Sequence, residues 1–304
     1  MNDTNQTHAI FRSFFDDQLN HLQNLVSNLS HHIQYEGQPT EEDKQMVENF
    51  VEASNNKMRA ADDYAKKLRN HVRTLHNYVL QIVEEIPSPI DLNLNAFGTD
   101  ELVNALFASS KDIDKLLKNN PEINLFLRTQ NVPIVYALMT ADKSEKPTLG
   151  IGMQGDMLIR DVSQQAVNFS SHKLHTPCAS SEELNTVLKE YLFSRVVALL
   201  KQEMADLMSN QPLNTDKSYK ARLKSLANPN VYLDTLIKQI ENPAELFCIN
   251  KIHFKLSKLG IKLEDNDKQN ANEFDIHEII WRNSIRRVVL QVKLPANSGN
   301  ICFQ

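Results

Sequence analysis

Between Pro39 and Ile86 the apolar and small residues return every three or four positions without a slip: Val47, Val51, Ser54, Met58, Ala61, Ala65, Leu68, Val72, Leu75, Val79, Ile82 and Ile86. That 3.5-residue period belongs to a coiled-coil seam, in which each knob returns to one face of an underwound helix. A single helix over this run would be about 70 Å long at 1.5 Å per residue, and few folds can house it. Thr40, with Asp43 three residues on, is a capping signal at its start, and Pro87-Ser88-Pro89 stops it.

A shorter helix is expected over residues 7–34, where Phe15, Leu19, Leu22, Val26, Leu29 and Ile33 repeat the same spacing. Tyr35-Glu36-Gly37-Gln38-Pro39 is a turn, so the two helices are expected to fold back as an antiparallel hairpin. Their lengths do not match. Leu68, Val72, Leu75, Val79, Ile82 and Ile86 extend beyond the reach of the first helix and need other cover, from the body of the protein or from a second copy. These six residues are therefore the expected oligomerisation seam of a homodimer or a partner-binding protein.

The 304 residues are 41% hydrophobic, enough for packed domains beside the hairpin. No apolar run approaches the roughly 18 residues of a membrane span, and the N-terminus lacks the order of a secretory signal. Cys178, Cys248 and Cys302 are an odd number, far apart, and so not a disulfide framework. The expectation is a cytoplasmic protein without a membrane partner or a cofactor.

The expected fold class is α+β in three segments. Residues 1–86 form the coiled-coil-like hairpin. Residues 87–210 form a middle α+β domain with short β hairpins: a buried strand at Ile134–Thr140, a hairpin from Leu149 to Val162 turning at Gln154-Gly155-Asp156, a further strand at Val167 and Phe169, and a buried helix capped by Ser180. Residues 211–304 carry a basic helix and then a three-stranded antiparallel meander. Its parity is clear: Ile252, Phe254 and Leu256, then Phe274, Ile276 and Ile280, then Val288, Leu290, Val292 and Leu294 share the face to be buried. The other face holds Lys251, His253 and Lys255; Glu273, Asp275 and His277; and Arg287, Gln291 and Lys293.

Four candidate motifs stand out, and each has a plainer explanation. Gly150-Ile151-Gly152-Met153-Gln154-Gly155 spells GxGxxG, but a dinucleotide site needs a helix opening on the last glycine, and Met157 to Val162 reads as a strand. His172, His175 and Cys178 have side chains that suit zinc, but a closed site needs a fourth ligand and none lies near, so no metal is expected. Asp275 with Gln291 and Lys293 on the next strand faintly resembles the carboxylate-plus-(E/Q)xK set of metal-dependent nucleases. That chemistry wants two acids on Mg²⁺, and the second is a glutamine here.

The last motif is charge. Residues 1–210 carry a net −9 and residues 211–304 a net +4. Lys217, Lys220, Arg222 and Lys224 on the basic helix, with Lys251, Lys255, Arg287 and Lys293 on the sheet, are the candidate nucleic-acid contacts. With no nucleophile elbow or Walker loop, the leading expectation is a non-enzymatic scaffold or adaptor assembling through its N-terminal coiled coil. The alternative is a nucleic-acid-binding protein, and behind it a metal-dependent nuclease or hydrolase.

Overall fold

The computed structural model describes residues 40–154, 157–209, 226–264 and 271–296. The helix expected over 7–34 lies outside these residues, as does most of the basic helix with Lys217, Lys220, Arg222 and Lys224. The protein mixes helices with one antiparallel-dominated sheet, and it divides into two compact units. One comprises Met1–Tyr78 and Val196–Leu246, the other Val79–Arg195 and Phe247–Gln304.

In the first unit the expected rod is not one helix. Helix α1 spans Glu41–Ser54, a 3₁₀ turn follows over Asn56–Ala60, and α2 spans Tyr64–Glu85. The break has a local cause, because serine and asparagine side chains offer the backbone other hydrogen bonds than the helix ladder. Ser54 Oγ donates to the Phe50 carbonyl at 2.6 Å. The Asn55 side chain accepts from the Lys57 N–H at 3.0 Å and starts the 3₁₀ turn. Asp63 then takes a left-handed φ of 52°.

The chain reverses at this break. Arg73 Nε donates to Asp43 Oδ1 at 3.0 Å, and Tyr64 donates to Glu48 Oε1 at 2.6 Å. Residues 30 and 16 apart in sequence are thus paired in antiparallel order, and the hairpin lies inside the run that looked continuous. Periodicity concealed the turn because Met58 and Ala61, within the break, remain buried. Ala65, just past it, is exposed. The opening cap is as expected, with Thr40 and Asp43 bonded reciprocally. Helix α8, Pro229–Ile240, packs here, with Asn230 bonded to both the Asp62 amide and carboxylate.

The second unit is built on a six-stranded sheet. Its strands are β1 (Ile90–Asp91), β2 (Ile134–Gln154), β3 (Met157–Cys178), β4 (Phe247–Ser257), β5 (Ala271–Trp281) and β6 (Arg286–Pro295). The order is β3-β2-β6-β5-β4, with β1 parallel to β6. The C-terminal meander forms with the expected parity, Phe254 facing Phe274 and Ile252 facing Ile276. The strands expected in two separate segments, 87–210 and 211–304, lie in one sheet, joined where Ile134–Ala141 pairs with Val288–Pro295. The strand expected at 134–140, the hairpin expected over 149–162 and the further strand at 167–169 are all parts of one longer hairpin of 21 and 22 residues.

Four short helices, α3 (Ala96–Thr99), α4 (Glu101–Leu106), α5 (Ser110–Lys118) and α6 (Pro121–Thr129), carry Ala96, Val103, Leu106, Ile113 and Ile123 into a core with Met139, Phe254, Ile276 and Leu290. Asn120-Pro121 opens α6 as the sequence signals, with the Asn120 side chain accepting from the Ile123 N–H. Helix α7 spans Ser181–Ser209, and its Asn185 and Arg195 reach the opposite face of the sheet at Gln291 and Trp281.

The loop after β4 links the sheet's edge strands β3 and β4, bridging Ala166 through Ile261 and Leu256 through Lys262. The loop after β4 bonds to β3: Val167 N–H donates to the Gly260 carbonyl at 2.8 Å, and Lys262 N–H to the Gln165 carbonyl at 2.8 Å. Lys143 and Lys262 both lie over the Phe254 ring at this closure, 5.5 and 5.8 Å from its centre.

Candidate functional site

Two places deserve comparison as sites: the polar face of the meander and the far end of the β2–β3 hairpin. On the polar face, register sets Lys251 beside His277, His253 beside Asp275 and Lys255 beside Glu273. Asp275 receives Lys251 Nζ at 2.8 Å and bonds His253 Nδ1 at 2.9 Å. Those two bonds hold its carboxyl below the usual range.

Strand β5 pairs with β6 only from Ile280 to His277. Beyond that point β1 takes its place, with Asp91 in register with Lys293. Asp275 and Gln291, which continued pairing would set opposite one another, therefore have separate partners. Gln291 Nε2 donates to Asn185 Oδ1 at 2.9 Å, and Lys293 Nζ reaches Asp91 at 3.0 Å. The nuclease-like trio shares a face, as parity requires, yet its members are engaged elsewhere. His277 Nδ1 and Gln291 Oε1 are buried on this face without a hydrogen-bond partner. Burial, with Lys251 near, holds the His277 imidazole below its ordinary pKa.

The candidate cations of the sheet are all matched. Lys251 pairs with Asp275, Lys255 with Glu273 at 3.5 Å, Arg287 with Asp142, and Lys293 with Asp91. Nucleic-acid affinity comes from cations that neutralise phosphates and release counterions, so a face whose charges already cancel offers little of that.

His172, His175 and Cys178 do not converge. His172 stacks on Phe107 with ring centres 4.4 Å apart, His175 Nε2 bonds Thr140 Oγ1 at 3.3 Å, and the Cys178 thiol donates to the Thr176 carbonyl. Burial pushes that thiol up to about 11. Among the described residues no group of three or more His, Cys, Asp or Glu is placed to hold a metal ion.

The six seam residues are buried within a single chain. Leu68, Val72, Leu75 and Val79 are 0% exposed, Ile82 2% and Ile86 5%. Side chains already covered in one copy have no apolar area left to give a dimer.

The hairpin end is the opposite case. Beyond Thr148 and Gln164, β2 and β3 pair only with each other among the described residues. The remaining ribbon, six residues of β2 against seven of β3, extends about 20 Å at roughly 3.4 Å per residue. Leu149, Ile151, Met157 and Leu158 on it are 61–72% exposed, and Ile159 36%. Leu149 and Ile151 share one face with Leu158, which is in register with residue 153; Met157 and Ile159, in register with 154 and 152, lie on the other. Strands flank the glycines on both sides, so no helix opens there to meet a pyrophosphate. Gly150 has its own reason: a Cβ would sit 1.9 Å from Gln164 Oε1, whose side chain crosses it to donate to the Ile151 carbonyl.

Comparison of the chain with family models, curated proteins and solved structures gives no match. Among the described residues no helix is long and apolar enough to cross a membrane. The hairpin end was legible in the sequence only as a turn between alternating residues. What makes it a site is where β6 stops pairing with β2, at Ala141, and no local pattern encodes that.

Proposed function

We propose that this chain is a non-enzymatic assembly protein that docks through the end of its β2–β3 arm. One observation carries the reading: five large apolar side chains are exposed on both faces of a two-stranded ribbon. Isolated hairpins are marginal in water, and long apolar edges invite pairing, so a chain that keeps such an arm gains from a partner that covers it. The burial of Leu68 to Ile86 within one copy moves the expected assembly role away from the helical seam.

The test is sedimentation of the full chain over a range of concentrations, beside the variant L149S/I151S/L158S. The wild type is expected to associate, and the variant to remain monomeric with an unchanged far-UV spectrum. A wild type that stays monomeric throughout would overturn the reading.

A further inference from the structure

Arg160 and Asp161 are adjacent, opposite in charge and exposed, in the middle of the apolar end of β3. Neither has an ion pair among the described residues. Asp161 also takes a left-handed φ of 59°, at the bulge where the β2–β3 register shifts between Gly150 and Gly152. An aspartate tolerates that backbone, but a strand has no need of it.

From this we infer that the arm's partner is a second copy of this chain, with the two β3 edges side by side, antiparallel, about a two-fold axis between residues 160 and 161. The inference rests on the assembly reading above and names its partner and register. In a two-fold interface, if residue i meets residue j, then j meets i. In a regular strand neighbours point to opposite faces, but at this bulge residues 160 and 161 together oppose the single residue 151, which sets them on one face. About such an axis Arg160 of each copy faces Asp161 of the other, so one dipeptide yields two ion pairs. In the same register Ile159 faces Val162 of the second copy. The outer edge of β3 from Met157 to Gln164, which has no strand neighbour among the described residues, gains one. The bulge interrupts a continuous ladder between the copies, so the ion pairs rather than the backbone fix the alignment.

The experiment uses full-length R160E and D161K, each alone, mixed, and combined in one chain. Either substitution alone sets two pairs of like charges opposite one another, and self-association is expected to weaken at least about tenfold. An equimolar mixture of R160E and D161K chains restores opposite charges at both contacts, so it is expected to form heterodimers with near wild-type affinity, resolved by mass spectrometry of differently labelled chains. The double variant R160E/D161K is expected to self-associate again. Both side chains are exposed, and matching thermal melts exclude misfolding. If the wild type associates and the charge variants associate as tightly, or the mixture stays monomeric, the two-fold register is overturned and the arm-docking reading stands. If L149S/I151S/L158S associates like the wild type, the arm itself is the wrong surface.

Discussion

The backbone N–H of Val167 donates to the carbonyl of Gly260 at 2.8 Å, tying an edge strand of the sheet to the loop beyond its last strand. That bond needs glycine. Gly260 has a φ of +75°, and an added Cβ would sit 2.8 Å from the Val167 carbonyl oxygen, a backbone atom that cannot swing away. Gly260→Ala is therefore expected to destabilise the protein by more than about 1 kcal/mol, since both conformation and contact oppose it. Gly98→Ala is the control, with nothing within 4 Å of its Cβ and a helical position in α3, and should be neutral or stabilising by about 0.5–1 kcal/mol. Urea midpoints of the two variants, with hydrogen exchange at the Val167 amide, check this. Equal effects would show that the closure contributes no stability.

That closure was not legible in the sequence, and the reason is distance along the chain. Alternation marked the meander because it is written inside each strand, through Ile252, Phe254 and Leu256 and again through Phe274 and Ile276, and caps marked α6 because Asn120 and Ile123 are three residues apart. Pairings such as Ile90 with Val292 or Ala166 with Ile261 leave no local pattern. Spacing also misled where it was most regular. The four-three repeat through Ser54, Met58 and Ala61 records burial, which a turn can satisfy as well as a helix, and Ser54-Asn55-Asn56 was the better local signal. For the candidate site, parity placed Lys251, Lys255, Arg287 and Lys293 on one face. It could not show that Asp142 and Asp91, from distant strands, would neutralise two of them.

Asp43 closes the helical turn-back in the first unit. It is 7% exposed, takes two bonds from the Arg73 guanidinium and completes the cap with Thr40. Arg73 first, with the Thr40 backbone and hydroxyl, holds its carboxyl below the ordinary aspartate value. A depressed folded pKa means that the unfolded chain takes up the proton first, so the stabilisation is complete above about pH 4 and is lost as pH falls through the folded value. Asp43→Asn is expected to cost about 1–3 kcal/mol at pH 7, the range for hydrogen bonds to charged groups. The difference from wild type should shrink below pH 4. Denaturation at pH 7 and pH 3 measures both, and a pH-independent difference would remove the charge from the explanation.

His172 gives an acid dependence in a higher window. Its ring stacks on Phe107, its Nε2 is buried without a partner, and burial pushes its pKa below 6.5 despite a bond to the Leu106 backbone. Here the folded state resists a proton that the unfolded state accepts near pH 6.5. Stability should therefore be full above that pH and decline as pH drops below it. His172→Phe keeps the stack and removes the orphaned nitrogen, so the slope of stability between pH 6.5 and pH 5 should flatten. Thermal melts across that interval, with the His172 imidazole resonance followed by NMR, test it. A His172 that titrates at its ordinary value would contradict the argument.

The paired cations on the sheet make a prediction against nucleic-acid binding by that face. A protein that neutralises Z phosphates loses affinity with salt at a slope of about −0.9Z on a log–log plot. Lys251, Lys255, Arg287 and Lys293 each already face a carboxylate, and displacing it would expose one negative charge to the phosphates for every cation recruited. The net gain per contact is then close to zero. Replacing the four with glutamine should leave retention on a DNA or RNA column unchanged, with no change in salt slope. Three of these pairs are at least a third exposed on both sides and such pairs contribute about 0–1 kcal/mol each, so the variant, with glutamine's methylenes kept at the more buried Lys255, should still fold. If instead the slope fell by about three or four units in the variant, these cations would be reaching phosphates in spite of their partners, and the sheet face would have to be read as a nucleic-acid surface.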